Sequence, residues 1–349
     1  MARWLSAFLF MWKDLLLEQC VDVAFPLLLC MLPNLDILSF TSVGTSWHGA
    51  THTILKETVR VLAKSNKALG PRSLMLPKPH GLREDYTLCK VPFLSLKSLQ
   101  RLRMSTPWGH TCMDWSTLNI ASLQDLDIEN GSLSFAYHII RKAPGLKSVR
   151  IISDVADPLR PDGLFPGSPT IEYHHSRPLI DMLKILINTS VGTLETLTFF
   201  PEEFTGYETK DPRVYPGPIS FRLFERLRKL ATCGSFFLDW KHRKTRRSQR
   251  NGVHKTLLPA SQLDRVIMYR LIDILPASLE TLRLDVGSLT YELLETSFEN
   301  FLERRKDFLP NLRTIELACS NSQSPSVSLS RSMLNIKDIC AQIGVELVR

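Results

Sequence analysis

Apolar residues recur along this chain in the spacing apolar-x-x-apolar-x-apolar. The stretch LPASLETLRLD (275–285) sets Leu279, Leu282 and Leu284 in that pattern, and LPNLRTIELA (309–318) repeats it with Leu312, Ile315 and Leu317. The spacing predicts a turn leading into a very short strand whose alternate side chains share one face. A strand of that length cannot bury its own apolar face, so it calls for neighbours of the same kind. Upstream copies carry Leu35, Leu38 and Phe40; Leu99, Leu102 and Met104; Leu123, Leu126 and Ile128; Leu146, Val149 and Ile151; and Leu194, Leu197 and Phe199. A weaker copy, Leu227, Leu230 and Thr232, ends on a polar residue. The steps between first leucines are 64, 24, 23, 48, 33, 52 and 33 residues, so the longer steps must hold helices, insertions or further copies.

Between these phrases the apolar period changes from 2 to 3.6. Helices are predicted over 51–70, 134–145, 178–192, 261–276, 297–310 and 332–344, each closed by Gly or Pro shortly before the next strand. The Pro- and Gly-rich stretches 157–170 and 201–220 read as long loops and candidate contact surfaces. Strand followed by returning helix, many times over, predicts an α/β fold: an irregular solenoid with a parallel inner β-sheet and outer helices. Residues 1–31 are expected to form an N-terminal helical cap and 32–349 the solenoid. Lys13, Asp14, Glu18 and Asp22 interrupt the apolar N-terminal stretch, which therefore predicts neither a membrane span nor a secretory signal.

Charge changes the picture in one place. The formal net charge is +8, but KHRKTRRSQRNGVHK (241–255) carries Lys241, Arg243, Lys244, Arg246, Arg247, Arg250 and Lys255 with no acidic residue, leaving the rest at +1. The stretch reads as a solvated insertion, a nuclear-import signal or a nucleic-acid contact. It contains no aromatic residue to stack a base. Seven scattered cysteines without a C-x-x-C pair argue against a disulfide framework or structural zinc, and for a reducing compartment, cytoplasmic or nuclear. His110 near Cys112, and the pair His174 and His175, lack a second ligand pair, so no metal site is expected. No P-loop, G-x-G-x-x-G, H-E-x-x-H or G-x-S-x-G is present, and neither an enzymatic role nor a cofactor is expected.

The residue between the last two apolar positions of each phrase should point to the opposite, concave face. Read along the copies, it is Ser39, Arg103, Asp127, Arg150, Thr198, Ala231, Arg283 and Glu316. Adjacent strands lie about 4.8 Å apart, so Arg103 is expected beside Asp127, Asp127 beside Arg150, and Arg283 beside Glu316. The row is either a self-satisfied ladder that holds strand register or a recognition strip for a protein partner.

On these phrases the chain resembles the leucine-rich-repeat part of the F-box and leucine-rich-repeat-like proteins abundant in filamentous fungi, where LPxxLxxLxL recurs at uneven intervals. The resemblance implies a substrate receptor whose repeat sheet holds the protein to be ubiquitinated while an F-box binds a Skp adaptor. No Leu-Pro-x-Glu type F-box signature precedes Leu35. Binding of a Skp adaptor is therefore not expected of the chain as given. What remains expected is a protein-interaction scaffold with an unknown partner on the concave face and no membrane partner; the alternative is a nuclear or nucleic-acid-associated factor acting through 241–255.

Overall fold

A computed structural model describes residues 36–39, 71–76, 94, 96–105, 120–129, 133–153, 177–201, 220–240, 266–268, 270–285, 294–295, 297–298, 301–318 and 331–348. The expected N-terminal cap, the helix over 51–70, the loops 157–170 and 202–219, and the basic stretch 241–255 lie outside the described residues. The chain divides into two compact units, Met1–Gly145 and Leu146–Arg349.

In the first unit four short strands run parallel in chain order: β1 (Ile37–Ser39), β2 (Ser73–Leu76), β3 (Arg101–Ser105) and β4 (Asp125–Glu129). Their registers align the apolar positions, Leu38 with Leu74, Leu74 with Leu102, and Leu102 with Leu126. Strand β2 is a copy hidden inside the 64-residue step. Pro71 stands in its first apolar place, so the leucine spacing alone passes it by. After β4 the chain turns into α1 (Leu133–Lys142), which buries Ala136, Ile139 and Ile140, an i, i+3, i+4 stripe. It stops just before Pro144, whose ring cannot continue a helix.

The second unit holds six parallel strands in the order β5 (Ser148–Ser153), β6 (Thr196–Pro201), β7 (Lys229–Cys233), β10 (Thr281–Asp285), β11 (Thr314–Ala318) and β12 (Glu346–Val348). Again the leucine positions align across neighbours: Val149, Leu197, Leu230, Leu282, Ile315 and Leu347. Helix α2 (Arg177–Ser190) precedes β6 and buries Met182, Leu183 and Leu186. Helices α3 (Leu271–Ile274), α4 (Phe301–Phe308) and α5 (Arg331–Gln342) pack in succession, α3 on α4, α4 on α5, and α5 on β12. Helix α5 closes with Gly344 at φ 70°, Gly344 N–H donating to the Ala341 carbonyl at 3.2 Å and Val345 N–H to the Cys340 carbonyl at 2.9 Å. Both hydrogen bonds belong to a Schellman cap, and buried Val345 and Cys340 supply its apolar contact.

One predicted helix is corrected. Within 261–276, Val266–Met268 is a strand, β9, paired antiparallel with β8 (Leu238–Trp240), and only Leu271–Ile274 is helical. The β-branched Val266 and Ile267 lose rotamer freedom in a helix and fit a pleated ribbon. Arg270 is extended at φ −65°, ψ 128°, and breaks any continuous helix. The basic stretch 241–255 falls in the segment joining β8 to β9. Among the described residues, the 52-residue step thus holds this antiparallel pair as well as the short helix α3.

The leucine phrase works through two sets of backbone hydrogen bonds. The carbonyl just before each strand accepts two N–H groups from the start of the next: Asp36 from Arg72 and Ser73, Arg72 from Gln100 and Arg101, Glu195 from Arg228 and Lys229, and Arg228 from Glu280 and Thr281, all at 2.8 to 3.1 Å except the Gln100 bond at 2.7 Å. A tight turn precedes the first leucine of several copies, as in Leu99 N–H to Leu96 O and Leu279 N–H to Pro276 O, both 3.1 Å. The turn fixes the register at which alternate side chains fall on one face.

Thr232 shows what the weaker copy costs. It occupies the last inward position of β7, in register with Phe199 and Leu284, and is 1% exposed. Its hydroxyl is buried and finds no hydrogen-bond partner among the described residues. A buried unsatisfied hydroxyl costs about 1–3 kcal/mol. Thr232→Val keeps the shape and removes that cost, so a rise in unfolding free energy of about 1 kcal/mol or more is expected in urea denaturation. A loss of stability would mean that the hydroxyl is satisfied.

Candidate functional site

Alternation along the strands sends the leucines to a buried face and leaves the intervening residues on an open one. In β10 the contrast is complete: Leu282 and Leu284 are 0% exposed, while Arg283 between them is exposed. Arginine flanked by leucine in a five-residue strand has no other solution, since its guanidinium cannot be buried without a partner.

On the open face of the first unit, two arginines of β3 meet three carboxylates of β4. Arg101 Nε lies 3.0 Å from Asp125 Oδ2, and Arg103 Nε lies 3.4 Å from Asp127 Oδ2, with its Nη2 3.8 Å from Glu129 Oε2. The expected neighbours Arg103 and Asp127 are thus brought together. Arg101–Asp125 and the reach to Glu129 come from the positions flanking the middle of each phrase. The two flanking positions point the same way and carry the same information. The strand β2 that the spacing missed adds Met75 to the row, in register with Arg103.

In the second unit Arg150 stands in register with Thr198, Thr198 with Ala231, Ala231 with Arg283, and Arg283 with Glu316. Arg283 Nε is 3.4 Å from Glu316 Oε1. Its guanidinium carbon also lies 5.9 Å from the centre of the Phe200 ring, two strands away. The small Ala231 on the strand between leaves room for that reach. Asp127 and Arg150 belong to different units. The arginines and lysines of 241–255 lie outside the described residues.

Cys233, at the end of β7, is buried, and burial pushes its thiol up to about 12, with the Asp285 carboxylate adding to the rise. Cys340 is pushed up to about 11 by burial. Both therefore stay as thiols near neutral pH and pack as small apolar groups. Among the described residues no group of three or more His, Cys, Asp or Glu is placed to hold a metal ion, and no helix is long and apolar enough to cross a membrane.

A second feature escaped the sequence reading. The residue just before the first apolar position of the phrase is repeatedly Ser, Thr or Asn, and its side chain donates to a backbone carbonyl of the preceding copy. Ser98 Oγ reaches Pro71 O at 3.0 Å and Ser122 Oγ reaches Leu99 O at 2.9 Å in the first unit. In the second, Thr193 Oγ1 reaches Leu146 O at 2.9 Å, Ser278 Oγ reaches Leu227 O at 2.9 Å, and Asn311 Nδ2 reaches Ala277 O at 3.1 Å. The signal was present as the S-L, T-L or N-L that opens most of the phrases, Gly145-Leu146 and Arg226-Leu227 being the exceptions. Near Ser278 and Asn311 the same edge forms a shallow polar groove of about 510 Å³ lined by Glu195, Glu225, Arg226, Arg228 and Glu280. There Arg228 Nε stands 3.8 Å from Glu280 Oε1. Compared with the models of known protein families and with curated proteins, the chain gives no match to either.

Proposed function

We propose that this chain is a non-enzymatic protein-interaction scaffold of leucine-rich-repeat type, a recognition module resembling the substrate-binding part of F-box and leucine-rich-repeat receptors. The observation that supports this reading is made in each unit by itself: charged side chains, Arg103 with Asp127 in the first and Arg283 with Glu316 in the second, are held by short parallel strands on the face opposite the buried leucines. These ion pairs are partly exposed, so their mutual attraction is worth only about 0.2–1 kcal/mol each. A partner that supplies better geometry can take over either member of a pair. On the second unit, exposed Lys229 stands between Thr196 and Thr281 in register and adds a cation that makes no ion pair among the described residues. The open face there offers cations, hydroxyls and the Phe200 ring together, which suits a mixed protein surface.

The test is capture from cell lysate on the immobilised full chain, with and without nuclease, at low and high salt. A protein partner is expected to survive nuclease and moderate salt, and the double change Lys229→Glu, Arg283→Glu should weaken capture by roughly tenfold or more, as reversal of interfacial charge does. If capture requires nucleic acid and falls steeply and linearly in log salt, the reading fails in favour of a nucleic-acid factor acting through 241–255.

A further inference from the structure

The second unit gathers three arginines from three separate stretches around one carboxylate and one ring. Arg270 Nε lies 2.6 Å from Asp273 Oδ2, and Arg304 Nη1 lies 3.8 Å from Asp273 Oδ1. Arg222 Nη2 donates to the Ile272 carbonyl at 3.1 Å, beside Asp273 in α3. The guanidinium carbons of Arg222 and Arg304 lie 5.4 and 4.3 Å from the centre of the Phe308 ring, which therefore joins the two. Two of these permanent cations, Arg270 and Arg304, pair with Asp273, and Arg222 joins them through the Ile272 carbonyl and the Phe308 ring, so among the described residues the cluster holds three positive charges and one negative.

Each guanidinium carries five N–H donors in a rigid fork. The acceptors found within the cluster are the two oxygens of Asp273 and one carbonyl. Among the described residues no ion pair reaches Arg222, and exposed Asp307 of α4 forms none with Arg304. Arginines on open surfaces normally keep apart and wave freely. Here each is held by a carboxylate, a carbonyl or an aromatic face, so much of the side-chain freedom that an anion would otherwise have to freeze is already restricted. Spare donors, fixed positions and two uncompensated charges describe a receptor for a doubly charged anion with several oxygens.

We propose that Arg222, Arg270 and Arg304, set around Asp273 and Phe308, form a binding site for a phosphate-type dianion. Phosphate monoesters match the excess charge and present three acceptor oxygens; a single carboxylate meets half of the charge. The dianion comes either as free inorganic phosphate or as a phosphorylated side chain on a partner. The site is separate from the open strand face, so its test does not depend on the scaffold reading.

The experiment follows the arginine Nε–H resonances of the full chain during titration with inorganic phosphate, with phosphoserine in a short peptide, and with the unphosphorylated peptide, at constant ionic strength. Saturable shifts confined to Arg222, Arg270 and Arg304 are expected. Affinity should drop when the pH is lowered below the second ionisation of the phosphoserine, about 6, because the dianion is lost. Arg304→Gln and Arg222→Gln should each weaken binding by roughly tenfold, while Arg226→Gln, outside the cluster, should leave it unchanged. Unaltered resonances elsewhere show that these variants are folded. Tighter binding of the phosphopeptide than of free phosphate assigns the dianion to a partner protein; equal affinity assigns it to the free ion. Shifts that rise without saturation, or that persist equally in both glutamine variants, overturn the proposal.

Discussion

Replacing Leu282 by Ala is expected to destabilise the second unit by about 2–5 kcal/mol, whereas Arg283→Ala, one residue away on the same strand, should cost about 1 kcal/mol or less. Leu282 is 0% exposed and lies in register between Leu230 of β7 and Ile315 of β11. Those neighbours sit on strands pinned by hydrogen bonds on both sides, so they cannot close the space left by the missing methyl groups, and a cavity term adds to the lost transfer energy. The side chain of Arg283 is 48% exposed, and its ion pair with Glu316 is screened by water. In the first unit Leu126→Ala, 1% exposed and in register with Leu102, should behave like Leu282→Ala, and Arg103→Ala like Arg283→Ala. Urea denaturation midpoints decide the matter. A reversed ordering at either strand would mean that its side chains alternate one residue out of step with this description, since a one-residue slip exchanges the two faces.

The parallel strands were legible because their signal is local and repeated: two apolar residues at period 2, preceded by a turn that places a third. The signal failed where a copy departs from leucine at its first position. The Pro71 carbonyl receives the Ser98 hydroxyl, and Leu74 three residues on pairs in register with Leu102, so in the sheet Pro71 opens an ordinary copy. Its side chain simply does not belong to the apolar alphabet on which the search relied. Strand β9 failed for the opposite reason. Its residues Val266, Ile267 and Met268 fit a helical stripe running on to Leu271 and Ile274, and only the partner strand β8, more than 25 residues earlier in the chain, makes them extended. No local pattern can report a pairing at that separation.

The candidate site divides in the same way. Arg103, Asp127, Arg283 and Glu316 could be placed from parity alone, because strand spacing and side-chain alternation are fixed by the backbone. The contact of Arg283 with Phe200 could not, since it spans two strands and depends on Ala231 being small. The arginine cluster was invisible for a stronger reason. Arg222, Arg270 and Arg304 lie in three segments with unremarkable local charge, and only the packing of α3 against α4 and of the turn at 221–224 against Ile272 and Ile274 gathers them around α3 and the Phe308 ring.

That packing rests on aromatic residues, and the second large effect is expected there. Phe237 ends the 3-10 turn Gly234–Phe237 that follows β7 and is 0% exposed. Its ring meets Phe221 edge-on at 6.1 Å and 67°, and Phe221 in turn stacks on Phe224 at 6.5 Å and 28°. Phe221 and Phe224 are themselves 2% and 1% exposed, and the Phe221 N–H donates to the Ile274 carbonyl at 2.8 Å, tying the trio to the end of α3. Phe237→Ala should therefore cost about 3–5 kcal/mol, because it removes a fully buried ring that packs edge-on against Phe221. Phe237→Leu should cost less, losing the edge-to-face contact of about 0.5–1.5 kcal/mol together with a smaller cavity term. The consequence reaches the anion site, since Arg222 follows Phe221 directly and its guanidinium is held by Ile272 and Phe308. In the Phe237→Leu variant, which should remain folded, the Arg222 resonance is expected to move while that of Arg270, anchored by Asp273 within its own turn, stays in place. Denaturation midpoints for both variants and the two arginine resonances for the second provide the measurement. A cost for Phe237→Ala below about 1 kcal/mol would remove Phe237 from the core and, with it, the aromatic support proposed for Arg222.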